Sequence, residues 1–196
     1  MTDSKLIREI KEGRIELYSE LIRKYEKKIL LFVHHLLRGY NMEVYAEDIA
    51  QETFYKAFKS LSTFRDEEAT FSTWLYTIAR NTTLSELRKT KYAEVSLEEY
   101  VTIPQISTLQ LPEQELLKNE RAQKVRDAIN SLPEKQRSAL ILREYEQLDY
   151  REIAHILDAT VSSVKSLLFR ARAGIKSQLE SYVADNKLTD YEGMKG

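Results

Sequence analysis

The stretch from residue 150 to residue 176 constrains the fold of this chain more than any other. Apolar residues recur at helical spacing over 150–157 and again over 162–176, on either side of a short turn at 158–161. The sequence predicts two helices, the second capped by Ser162, with small Ala154 letting them approach. A shared core is expected from Ile153, Leu157, Val161, Val164 and Leu168. This is the pattern of a helix-turn-helix.

The second of these helices has a basic outward face. With Val164 directed inward, the residues that point away are Lys165, Ser166, Phe169 and Arg170, with Arg172 and Lys176 on the flank. Arginine and lysine can read guanine edges in a major groove or hold phosphates. The pattern favours DNA binding over the alternative, a basic helix whose outer face is merely solvated.

Residues 70–91 form a second two-faced stretch. One broad arc carries Phe71, Trp74, Leu75, Ile78, Ala79 and Thr82, and the opposite side carries Tyr76, Arg80 and Thr83. Aromatic rings stack on unpaired bases and cations hold phosphates, so the polar side suggests a contact with single-stranded nucleic acid. An amphipathic helix with a solvated face is the alternative.

Composition indicates an all-α protein. The 196 residues include only five Gly and three Pro, and 42% are hydrophobic. Because cysteine is absent and only three histidines occur, two of them adjacent, we expect neither disulfides nor a metal site. No apolar run approaches the roughly 20 residues that span a bilayer, and the charged start is unlike a signal peptide. We therefore expect a soluble, cytoplasmic protein.

The charge is unevenly distributed although the net charge is only −1. Residues 80–91 and 161–180 each hold four basic residues against one acidic residue, whereas residues 92–120 hold six acidic residues against one lysine. A protein that binds duplex DNA unaided usually has a basic surplus. The distribution predicts two weak nucleic-acid contacts made inside a larger assembly.

The remaining sequence predicts further helices. A short charged helix is expected over 1–13, a long one over 14–37 and another over 46–61, with a core stripe of Ala50, Phe54, Ala57, Phe58 and Leu61. A capping box of Ser131 and Glu134, with Pro133 in the first turn, predicts a helix that ends about Tyr145.

The helix over 46–61 has a separate polar face, formed by Asp48, Gln51, Glu52 and Tyr55. It could be ordinary solvated surface, a docking surface for a basic partner helix, or a carboxylate pair for acid–base catalysis. The last is the weakest, because no nucleophile or glycine-rich loop lies nearby in the sequence.

Two of these segments, AEDIAQETFYKAF at 46–58 and FSTWLYTIARNTTLSELRK at 71–89, resemble the second conserved region of the sigma-70 family, in particular the extracytoplasmic function (ECF) sigma factors. The resemblance continues over 132–176. It implies a region 2-like helical domain at 1–91 and a region 4-like domain at 113–184. The composition of the remaining segments predicts a flexible acidic linker at 92–112 and a disordered tail at 185–196.

The resemblance also implies a function and its partners. The chain would be a non-catalytic initiation factor without cofactor or small-molecule substrate. It would bind the β′ clamp and β flap of core RNA polymerase and open promoter DNA. An anti-sigma factor, often membrane-anchored in this family, would hold it inactive. The linker would be threaded through polymerase channels; an incidentally charged tether is the alternative.

The implied contacts fall into three groups. Polymerase contacts are Asp48, Gln51, Glu52 and Tyr55. Contacts to the −10 element are Phe64, Arg65, Asp66, Thr70, Tyr76, Arg80, Asn81 and Arg88. Contacts to the −35 element are Ser162, Lys165, Ser166, Phe169, Arg170 and Arg172. Ser162 and Leu167 stand where the family commonly has glycine and arginine, and the connector 64–70 lacks a glycine often found there.

Two other classes of function remain open from the residues alone. A stand-alone helix-turn-helix regulator would bind a two-fold operator without polymerase. An all-α adaptor would bind proteins only and leave both basic patches unused.

Overall fold

The computed structural model describes the backbone of residues 2–94 and 113–193, and most side chains within residues 2–90 and 120–182. Those residues form eight α-helices and three short 3-10 helices, without a strand, which confirms the all-α prediction. The α-helices are α1 (Asp3–Lys11), α2 (Tyr18–Arg38), α3 (Ala46–Ser60), α4 (Phe71–Glu94), α5 (Glu113–Asn130), α6 (Glu134–Glu144), α7 (Tyr150–Leu157) and α8 (Val161–Gly193). None of these helices has the length and apolar content needed to cross a bilayer.

Helices α2, α3 and α4 form a bundle in the first half of the chain. Leu21, Ile29, Phe32 and Leu75 are fully buried between them. The ring of Phe32 meets Tyr76 edge-on with centroids 5.1 Å apart, a favourable aromatic geometry. Helix α1 closes one end of the bundle, where Asp3 accepts hydrogen bonds from Lys24 and Tyr25 of α2.

Two details of this bundle differ from expectation. The predicted helix over 14–37 begins with a 3-10 turn at Ile15–Leu17 and becomes α-helical only at Tyr18, because Gly13, at φ +110°, turns the chain just before it. Phe58, expected in the core, is 37% exposed and its ring tilts against Tyr18 at the edge of the bundle.

Helices α6, α7 and α8 form the core of the second half, and α5 lies along α8. Ile141, Leu142, Ile153 and Val164 are buried there. Helix α7 begins at a capping box that the sequence analysis missed: Asp149 accepts from the backbone N–H groups of Arg151 and Glu152, and the Glu152 carboxylate accepts from the N–H of Asp149.

Both predicted caps were wrong. Ser131 donates to the carbonyl of Ala128 instead of capping α6, whose N-cap is Pro133 and has no side-chain bond. The Glu134 side chain accepts from Arg80 and Ser138. Thr160, not Ser162, caps α8 by accepting from the N–H of Ser163 at 3.1 Å. The turn before it contains Asp158 in the left-handed conformation, at φ +47°.

The two halves pack against each other, α4 against α7 and α2 against α6, so that their buried side chains form one continuous core. The linker predicted at 92–112 lies outside the described residues except at the end of α4. Helix α8 continues to Gly193, into the tail that was predicted to be disordered from residue 185. That segment contains neither proline nor an earlier glycine to end the helix.

Candidate polymerase and nucleic-acid interfaces

The outward face of α8 is exposed as predicted. Val164, Leu168 and Ala171 anchor the helix in the core. Lys165, Ser166, Phe169 and Arg170 are exposed, and Phe169 is 73% accessible. The apolar area of this ring is therefore open to a partner. Ser162 is also exposed, although it does not cap the helix.

The cations of α8 differ in their partners. Arg172 is 2.7 Å from the Glu144 carboxylate, and this hydrogen bond raises the pKa of the guanidinium above its ordinary value. Lys176 lies 3.6 Å from Glu180. Lys165 and Arg170 form no ion pair with any residue of the described ranges, so their charges face solvent. A shallow cleft of about 440 Å³ runs beside Lys165, Phe169 and Arg172.

The polar face of α3 is a second exposed surface. Asp48, Gln51, Glu52 and Tyr55 are all exposed, as predicted. Glu52 is 3.4 Å from Lys56, and Lys59 lies over the Tyr55 ring at 5.5 Å. Two further residues of this surface were not predicted: Val44 and Tyr45, which precede the helix and are 81% and 50% exposed. Such solvent-facing apolar residues in a 3-10 turn carry no periodic signal.

The connector 64–70 is pinned at both ends. Phe64 is buried against Phe71 and Trp74, and its carbonyl accepts from Lys11 at 2.7 Å. Thr70 accepts from the N–H of Thr73 at the start of α4. Arg65 and Asp66 between them are exposed. A cleft of about 580 Å³ separates the connector from α1 and is lined by Lys5, Arg8 and Lys11, which the sequence analysis did not associate with it.

The polar side of α4 is not open to solvent, contrary to expectation. Tyr76 is 2% and Arg80 is 7% exposed, and Thr83 is fully buried. The reason is tertiary: Tyr76 packs edge-on against Phe32 of α2, α3 and α7 lie against α4, and acidic residues of the second half contact Tyr76 and Arg80. Asn81 and Arg88 remain exposed beside a cleft of about 790 Å³ at the junction of the two halves.

Acidic side chains of the second half meet the covered residues. The guanidinium of Arg80 donates two hydrogen bonds to Glu134, of 3.0 and 2.8 Å, and the hydroxyl of Thr73 donates to Glu152 at 3.3 Å. The Tyr76 hydroxyl donates to Glu146. Burial first, and then this hydrogen bond, raise the pKa of Tyr76 far above its ordinary value, so the phenol stays protonated and donates.

Comparison with known proteins identifies the family. Residues 21–92 match the family model for Sigma-70 region 2, and residues 122–174 match that for Sigma-70 region 4. The chain is 34% identical over 187 residues to the ECF RNA polymerase sigma-E factor of Haemophilus influenzae, covering 92% of this chain and 96% of that protein. It is 35% identical over 189 residues to the RNA polymerase sigma-H factor of Pseudomonas aeruginosa, covering 91% and 94%.

Solved structures agree with this fold. CnrH in complex with the cytosolic domain of CnrY superposes with a TM-score of 0.66 at 18% identity, covering 91% of this chain and 97% of CnrH. The sigma factor RpoE in complex with the anti-sigma factor NepR from Bartonella quintana superposes with a TM-score of 0.62 at 23% identity, covering 82% and 97%. This chain therefore belongs to the sigma-70 family and, within it, to the ECF RNA polymerase sigma factors.

Proposed function

We propose that this ECF sigma factor directs core RNA polymerase to promoters through three surfaces. Helix α3 docks on the polymerase, α8 reads the −35 element as duplex, and α4 with the connector captures bases of the −10 element after melting. The exposed basic face of α8 on a complete helix-turn-helix is the observation that carries this proposal.

Helix α8 suits a major groove. Lys165 and Arg170 carry charges without an ion-pair partner in the described ranges, which suits phosphate or guanine contacts. The exposed ring of Phe169 suits the apolar methyl group of thymine. Arg172 is oriented by Glu144 and lies on the flank, where a phosphate contact would fix the helix in register.

The α3 surface suits a basic partner. Asp48 and Glu52 supply negative charge, while Val44, Tyr45 and Tyr55 supply apolar area next to it. Charge complementarity steers association, and aromatic anchors contribute most of the energy at protein interfaces. We assign this surface to the β′ clamp of core polymerase, and the second helical domain to the β flap.

Strand opening on this proposal needs no covalent chemistry and no cofactor. Unstacking a base costs a few kcal/mol, and a stacking contact returns about 1–3 kcal/mol per base. The exposed amide of Asn81 and cation of Arg88 are groups of the required kind. Tyr76 and Arg80 are buried in this structure and would have to be uncovered before they could contact a base. A factor of this kind acts in the cytoplasm, and the complexes of the similar sigma factors with anti-sigma partners support such a partner for this chain also.

In vitro transcription tests the proposal. Purified chain and core polymerase are incubated with fragmented genomic DNA of the source organism, and the 5′ ends of the transcripts are sequenced. We expect defined start sites that depend on the chain. Because one lost base or phosphate contact costs about 1–3 kcal/mol, the double substitution Lys165→Ala, Phe169→Ala is expected to reduce these transcripts about tenfold or more.

The matched control is Arg121→Ala, which removes a cation from exposed α5 in the same half of the chain. It should leave the start sites and their yield unchanged. Transcripts that begin at random positions with and without the chain would overturn the proposed function.

A further inference from the structure

We propose that helix α1 is a further DNA-binding element, whose cations hold the sugar–phosphate backbone of the melted strand while the connector 64–70 captures its bases. Because the connector receives that strand only if the proposed function holds, this role of α1 rests on the proposed function. The phosphate subsite is the cleft of about 580 Å³ between α1 and the connector, and Lys5 and Arg8 are its main anion-binding residues.

The cations of α1 form a row along the cleft. Lys5, Arg8 and Lys11 follow one another at intervals of three residues, which is the spacing of one side of a helix, and all three line the cleft. From Lys5 to Lys11 the helix rises about 9 Å. Phosphates of one stacked strand lie about 3.4 Å apart along the axis. The row is therefore long enough to contact two successive phosphates.

The first two cations of this row are available to a ligand. Lys5 and Arg8 are exposed, and neither forms an ion pair with a residue of the described ranges. The neighbouring carboxylate of Glu9 pairs with Arg14 instead. A phosphate could therefore bind Lys5 and Arg8 without breaking an existing ion pair.

Lys11 fixes the width of the cleft. Its Nζ donates to the carbonyl of Phe64 at 2.7 Å and lies 5.9 Å from the centroid of the Phe64 ring, which ties α1 to the start of the connector. This bond uses one of the three donors of the ammonium group, so two remain for a phosphate. Leu6 and Ile7, each 4% exposed, anchor α1 in the core. The cations are thus held beside the connector before DNA binds, and this preorganisation lowers the entropic cost of binding.

The two walls of the cleft differ in charge. Asp66 lines it from the connector, whereas the three cations line it from α1, where Glu12 is the acidic residue among them. A carboxylate repels a phosphate but can accept a hydrogen bond from the amino group of a base. Phosphates are therefore directed toward α1 and bases toward the connector. This arrangement suits a single strand, because a basic groove that follows the backbone is typical of single-strand binding.

The salt dependence of strand binding tests the subsite, because each phosphate contact to a single strand contributes about 0.7 to the slope of log K against log salt concentration. The complex of the chain with core polymerase is titrated with a fluorescent non-template strand from a start site found in the transcription assay. Anisotropy is followed over about 50–200 mM KCl. We expect Lys5→Ala with Arg8→Ala to lower the slope by about 1.4 and to weaken binding about tenfold or more near 0.1 M salt.

Two matched variants control for charge and for folding. Lys27→Ala with Lys28→Ala removes two exposed cations of α2, neither of which lines the cleft, and should leave the slope unchanged. Lys5→Arg with Arg8→Lys keeps both charges and should retain the slope of the parent. A phosphate contact carries no sequence information, so the alanine variant should lose the same factor on a strand of scrambled sequence.

The outcomes separate the subsite from the proposed function. An unchanged slope in Lys5→Ala with Arg8→Ala, or an equal fall in the α2 control, would overturn the subsite alone, since the parent still yields defined start sites. A loss confined to the promoter sequence would overturn the phosphate role by showing a base contact instead. A parent chain that yields no defined start sites would overturn the proposed function, and the subsite with it.

Discussion

At the scale of single residues, neighbours decide what a side chain can do. His35, near the end of α2, packs against Tyr145 of the second half with ring centroids 4.7 Å apart. Burial lowers the pKa of His35, and the charges of His34 and Arg38 on the same helix lower it further. The neutral imidazole is therefore the form that the packed contact with Tyr145 favours.

This pKa shift predicts an acid-sensitive contact. Because the pKa of His35 is depressed in the folded state, the unfolded chain binds the proton more readily, and stability present above pH 6.5 is lost as pH falls below it. One proton limits the slope to about 1.4 kcal/mol per pH unit. Urea unfolding at pH 7.5 and 5.5 measures the loss, which His35→Gln should reduce.

The matched control for this measurement is His155→Gln, which alters an exposed histidine of α7. It should leave the pH dependence as in the parent. A His35→Gln chain that loses as much stability on acidification as the parent would contradict the assignment.

At the scale of elements, the hydrogen bonds at the start of α7 show how the first helix of the helix-turn-helix is held in place. Its capping box at Asp149 and Glu152 satisfies the backbone N–H groups of a helix of only eight residues. The same Glu152 carboxylate reaches Thr73 of α4, so the start of α7 is tied both to its own backbone and to the first half.

Asp149→Ala is therefore expected to lower the free energy of unfolding by about 0.5–2 kcal/mol, the usual cost of losing an N-cap. The lost cap should also weaken the helix-turn-helix and reduce −35-dependent transcription. Urea denaturation followed by circular dichroism measures the first effect. Ser162→Ala, at the predicted cap that makes no capping bond, should change stability by much less; equal losses in the two variants would refute the cap assignment.

At the scale of the whole molecule, the two helical halves pack as one body, since their cores are continuous and a charged contact joins them. We predict that the parent chain unfolds on heating in one cooperative transition. Glu134→Lys with Glu146→Lys places two cations opposite Arg80 and Tyr76, and should separate the unfolding of the halves into two transitions.

Scanning calorimetry distinguishes these cases through the ratio of calorimetric to van't Hoff enthalpy. A parent chain that already shows two transitions would contradict a shared core. An Asp127→Asn chain, altered at an exposed residue of α5 whose side chain bonds Gln123 of the same helix, should retain the single transition.

The sequence by itself determined the helical fold class, the helix-turn-helix at 150–176 and the exposed faces of α3 and α8. These features follow from the local periodicity of apolar residues, which can be read directly from the sequence. The sequence also grouped Tyr76 and Arg80 on one polar side of a helix, but it predicted that this side is exposed to solvent. Their assigned contacts to polymerase and promoter remain predictions.

Only the tertiary structure decided that this side is covered. Glu134 fitted a capping box in the sequence, but in the fold it pairs with Arg80, 54 positions away, and Glu146 reaches Tyr76 across 70 positions. Which of two good partners a carboxylate takes depends on what the fold brings near it. Leaving the buried guanidinium of Arg80 without an anionic partner would cost more than leaving an exposed helix end to water, and that difference in desolvation cost favours the long-range pair.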